Sequence, residues 1–65
     1  MTVVVYRWYY GEYKELFRIT GNKVSNEYGE MFLRELGIPM NEDAVFKSLK
    51  SNGVYLVERV GDESD

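Results

Sequence analysis

No cysteine and no histidine occur in these 65 residues, and proline occurs once. The first absence removes disulfides, thiol nucleophiles and thiolate metal ligands. The second removes the commonest general base and the commonest zinc ligand. No apolar run is longer than Val3 to Tyr6, far short of the ~20 residues of a membrane helix. The first residues also lack the basic stretch and long apolar core of a secretory signal, so the expectation is a cytoplasmic protein without a membrane span. Ordering a chain costs about 1.5 kcal/mol per residue, which so short a sequence offsets with one core at most.

What is present is aromatic and unevenly charged. Aromatics make up 15% of the chain, six of them tyrosine, and the net charge is −3. That total conceals two unlike halves. Residues 1 to 26 set Arg7, Lys14, Arg18 and Lys23 against Glu12 and Glu15 and are net positive. Residues 27 to 65 set Arg34, Lys47, Lys50 and Arg59 against nine acids and are strongly negative. Such a layout bears on partners and solubility rather than on fold.

Thr2 to Tyr10 and Tyr13 to Thr20 are rich in β-branched and aromatic residues and read as strands. With Gly11-Glu12 as a two-residue turn, Tyr10 faces Tyr13, Trp8 faces Glu15, Tyr6 faces Phe17 and Val4 faces Ile19 on one apolar side. Trp8 is then expected in the core, where truncation to alanine would cost about 3 kcal/mol or more. The other side would carry Val3, Val5, Arg7, Tyr9, Lys14, Leu16, Arg18 and Thr20. A second turn at Gly21-Asn22 leads into a short strand, Lys23 to Ser25, with Val24 opposite Ile19.

Asn26 or Ser25 caps a helix with Tyr28, Met31, Phe32 and Leu36 as its apolar stripe. Gly37 and Pro39 end it. Asn41 caps a second helix, with Glu42 and Asp43 in its first turn and Val45, Phe46 and Leu49 as the buried side. Asn52-Gly53 closes that helix and Val54 to Val60 forms the last strand. The fold class is therefore α+β: a four-stranded antiparallel sheet in the order β-β-β-α-α-β, strands arranged 4-1-2-3, with both helices on one face. Residues 1–61 form the single domain, and residues 62–65 an acidic tail.

Chemistry is scarce in this pattern. Lys47-Ser48 and Lys50-Ser51 are neighbours on a helix and so point about 100° apart, which makes neither a nucleophile-base pair. No glycine-rich phosphate loop is present, both helix N-termini carry acids, and Asp62, Glu63 and Asp65 are too few for a calcium site. No catalytic residue, metal or cofactor is expected.

Three surfaces remain. Tyr9, Tyr10 and Tyr13 cluster with Glu12 at the first hairpin, where tyrosine supplies large contact area at low entropy cost. Glu27, Glu30, Glu35, Glu42 and Asp43 form an acidic helical layer suited to a basic nucleic-acid channel on another protein. Together these nine residues are the expected contact set for a larger protein partner. The size and composition are similar to those of phage- or mobile-element-encoded inhibitors of host nucleic-acid machinery, anti-CRISPR proteins among them, a similarity of class carried by no motif. In that case the site of action is the host cytoplasm. The alternative is single-stranded nucleic acid, held on an open sheet face by Arg7, Tyr9, Lys14, Arg18, Tyr55 and Arg59. A further alternative is a homodimer joined through Val3, Val5 and Leu16.

Overall fold

The computed structural model describes Met1–Gly61; the acidic tail expected at residues 62–65 lies outside the described residues. The elements are β1 (Thr2–Tyr9), β2 (Glu12–Thr20), β3 (Lys23–Val24), α1 (Glu27–Leu36), α2 (Glu42–Lys50) and β4 (Tyr55–Val60). They form one antiparallel sheet ordered β3-β2-β1-β4, with both helices packed against the same side. Strand β1 lies inside the sheet, as three consecutive valines require.

Pairing of β1 with β2 departs from the expected register. Val3 opposes Ile19 and Val5 opposes Phe17, after which the register shifts and Tyr6 opposes Glu15, Arg7 opposes Lys14 and Trp8 opposes Tyr13. Leu16 is the extra residue, a β-bulge. The turn is Tyr10-Gly11 rather than Gly11-Glu12, with positive φ at both (47° and 89°), the combination of a type I′ hairpin. The core face is consequently Val3, Val5, Phe17 and Ile19, joined by Leu33, Val45 and Leu49 from the helices. Leu16 packs against the same cluster. Tyr6 and Trp8 point the other way, and Trp8 is 54% exposed. The proposed dimer face is lost by the same change, since Val3 and Val5 are buried and Leu16 packs inward.

The reason lies in how closely α1 approaches the sheet. A Cβ built on Gly29 would stand 2.5 Å from Val24 Cγ1 and 2.7 Å from Phe17 Cγ. A helix held this near rests directly on the Phe17 side chain and Val24. The contact also turns α1. Its buried residues are Gly29 and Leu33, with Phe32 half-buried, whereas Tyr28, Met31 and Leu36 of the expected stripe are exposed. Helix α2 matches expectation, burying Val45 and Leu49 with Phe46 partly covered.

Helix ends follow the local chemistry. Asn26 Oδ1 accepts from Gly29 N, and Asn41 Oδ1 accepts from Ala44 N, both at 2.8 Å. At the far end of α1, Gly37 takes the left-handed conformation, its N–H donating to Arg34 O and that of Ile38 to Leu33 O, a Schellman closure. No helix among the described residues is long and apolar enough to cross a membrane.

Gly29→Ala is expected to destabilise the domain by about 1–3 kcal/mol through overpacking, even though alanine is the better helix former by about 1 kcal/mol. Gly53→Ala, where nothing lies within 4 Å of the built Cβ, is expected to be near neutral. Urea midpoints of the two variants measure the difference.

Candidate functional site on the first hairpin

Strand β4 begins opposite Arg7, so Trp8 and Tyr9 have no neighbour on that side. Strand β3 pairs only Ile19 and Thr20 of β2. Residues 8 to 15 therefore form a two-stranded ribbon that overhangs the rest of the sheet. Because the bulge resets the alternation of β2, the ribbon has two distinct faces. On the open side Trp8 meets Tyr13 edge to face, centroids 5.0 Å apart. On the helix side are Arg7, Tyr9 and Lys14, with Lys14 Nζ 5.8 Å from the centre of the Tyr9 ring. Glu12, opposite Tyr9, pairs with Lys14 at 3.7 Å.

Tyr10 stands at the tip, 89% exposed and in edge contact with Tyr9 at 4.5 Å. Its φ of 47° is left-handed. Asparagine or glycine takes that conformation readily, and a bulky aromatic does so at a cost of about 1 kcal/mol or more. The four aromatics of the ribbon, Trp8, Tyr9, Tyr10 and Tyr13, are all at least half exposed or nearly so.

Four of the nine residues expected to meet a partner, Tyr9, Tyr10, Glu12 and Tyr13, thus share the ribbon. Trp8 is the fourth aromatic of the surface, missed in the sequence because the expected register buried it. The helical acids lie elsewhere. Glu42 accepts a hydrogen bond from Gly21 N, and Asp43 pairs with Arg59 at 3.0 Å, so these two serve the fold. Glu27, Glu30 and Glu35 lie on α1, Glu30 partly covered.

Of the six residues expected to hold nucleic acid on an open sheet face, only Arg18 lies on that face. Val57 opposes Val5, which turns Tyr55, Val57 and Arg59 toward the helices. The Tyr55 ring packs on Phe32 (5.2 Å), and the Arg59 guanidinium lies 4.4 Å over the Phe46 ring. Arg7, Tyr9 and Lys14 are on the helix side of the ribbon, while Arg18 is on the open side, bound in two contacts to Glu15 at 2.7 and 3.2 Å. The open face instead carries Val4, Tyr6, Trp8, Tyr13 and Leu56 with Glu15, Arg18 and Glu58. Val4 is buried even there, flanked in register by Arg18 and Glu58, long side chains whose stems shield a small neighbour.

Tyr6 Oη donates to Glu58 Oε1 at 3.1 Å. Partial burial, reinforced by the Glu58 hydrogen bond and charge, holds its phenol above the ordinary value of 10.0, whereas Glu15 raises Arg18 further above its own usual range. Nowhere among the described residues do three acidic side chains gather to hold a metal ion. The Ser25 hydroxyl accepts from Arg18 N at 3.0 Å, tying β3 to β2.

A raised phenol favours the protonated folded state, so the Tyr6 contribution is intact below pH 10.0 and is lost as the pH climbs through the folded-state value. The stability difference between wild type and Tyr6→Phe, followed by urea unfolding from pH 8 upward, is expected to fall above pH 10.0 and not below it. A second expectation concerns the turn: Tyr10→Asn should stabilise the domain by about 1 kcal/mol, read from thermal or urea midpoints. Trp8→Ala should cost well under the roughly 3 kcal/mol of a core tryptophan. No family model, no curated protein and no solved structure matches this chain.

Proposed function

We propose that this chain is a non-enzymatic protein-binding module that engages a larger partner through the overhanging β1–β2 ribbon. The observation that carries the proposal is Tyr10. A tight I′ turn preceding Gly11 is best served by asparagine, yet the position holds a fully presented tyrosine in a backbone conformation that disfavours it. Local choices that work against the fold concentrate at functional positions. Tyr9, Tyr13 and Trp8 surround it with the residue types that dominate binding hot spots.

In the antagonist form of this proposal, α1 supplies the acidic surface through Glu27, Glu30 and Glu35. Glu42 and Asp43 are engaged within the fold and contribute less. The net charge of the open sheet face, with Glu15 and Glu58 against Arg18, does not favour a polyanion there.

Tyr10→Asn separates binding from folding because the two respond in opposite directions. The variant is expected to unfold at higher urea than wild type and to capture its partner at least about tenfold less well, the loss of one hot-spot side chain. Lys23→Gln, exposed on β3 away from the ribbon, serves as the control and should capture as wild type does. Equal capture by Tyr10→Asn and wild type, measured by quantitative pull-down and titration of the recovered protein, would refute the proposal.

A further inference from the structure

The helix side of the ribbon is concave. Arg7, Tyr9, Lys14, Glu15 and Leu16 line an open depression of ≈310 Å³. Among the described residues no acid lies within ion-pair distance of Arg7, which stands opposite Lys14 in the register. Glu15 also lines the depression, but both its carboxylate oxygens are held by Arg18. The Glu12 partner of Lys14 is at 3.7 Å with both side chains more than half exposed, a weak pair that another anion can displace. The depression thus offers two cations side by side, an aromatic wall from Tyr9 and an apolar base from Leu16.

From this geometry we infer that the depression recognises an acidic peptide segment of the partner, one carboxylate lying between Arg7 and Lys14 and a neighbouring apolar side chain resting on Tyr9 and Leu16. The inference rests on the ribbon being the binding surface and names the chemistry it reads. A carboxylate matches two cations in reach of one another, and the guanidinium can engage it in two parallel hydrogen bonds. A nucleic-acid backbone would need a continued row of cations. Beyond these two it would meet Glu12, which pairs with Lys14, and the acids of α1, in a chain of net charge −3.

The test is an amide NMR titration of the whole chain with two blocked hexapeptides, one alternating leucine with glutamate and the other leucine with glutamine. The expected result is shifts centred on Arg7, Tyr9, Lys14 and Leu16, with the glutamate peptide half-saturating at about fivefold lower concentration and the advantage shrinking as salt is added. Arg7→Gln and Lys14→Gln, both at exposed positions, should each reduce that advantage without altering the spectrum elsewhere. Equal binding of the two peptides, shifts confined to other surfaces, or no shifts at all would overturn the assignment. So would an octamer of thymidylate that shifts the same residues at lower concentration than the glutamate peptide, which would point to nucleic acid. Outcomes for the depression and for the tip are separable. Loss of the glutamate preference leaves the effect of Tyr10→Asn on capture untouched, and unchanged capture by Tyr10→Asn leaves the glutamate preference standing.

Discussion

A single extra residue in β2 sets the character of both ends of this molecule. Leu16 sits where the pairing with β1 shifts between Val5 and Tyr6, and on either side of it the same two strands present different chemistry. Toward the helices the bulge lets Leu16 and Phe17, adjacent in sequence, both pack on the apolar cluster. Beyond it the alternation of β2 is reversed, which places Tyr13 beside Trp8 on the open side and Lys14 beside Arg7 on the other. Were Leu16 paired in regular alternation instead of bulged, the turn would lengthen to three residues and the basic pair would be split between faces.

Core and ribbon therefore depend on each other through register. The close seat of α1 is made by Gly29, which lets the helix rest directly on Phe17 and Val24. Trp8, Tyr9, Tyr10 and Tyr13 fall on the overhang, where neither helix covers them. Such a surface is costly in isolation and useful in a complex. The charge layout reinforces the division. Arg59, Asp43, Arg18, Glu15 and Glu42 are engaged within the fold, whereas Arg7 and Lys14 on the ribbon and Glu27, Glu30 and Glu35 on α1 are left to face a partner.

Local signals in the sequence are legible where one or two residues decide the outcome. Asn26, Asn41 and Gly37 are helix boundaries because side-chain capping and a left-handed closure are properties of a few consecutive residues. The pairing of Val24 with Ile19 followed in the same way from a tight turn at Gly21. The faces of β1 and α1 were not legible. Two alternations were available to a strand whose residues are apolar on both sides, since Val4, Tyr6 and Trp8 are as hydrophobic as Val3 and Val5. Gly11 fits either position of a two-residue turn. In α1, hydropathy marked Tyr28 and Met31, while the residue in closest contact with the sheet is a glycine that no hydrophobic scale selects.

By itself the amino-acid sequence determined the number and order of the elements, the caps of the helices, the antiparallel sheet with β1 beside β4, and the exclusion of thiol and imidazole chemistry. These follow from composition, turn residues and caps, all of which act over short distances along the chain. Only the tertiary structure decided which side of β1 is core, that Trp8 is presented rather than buried, and that Arg7 and Lys14 share a concave face with Tyr9. Those outcomes depend on a bulge and on the distance between α1 and the sheet. Both are settled by packing between residues far apart in sequence, where filling space without clash outweighs the preference of any one side chain.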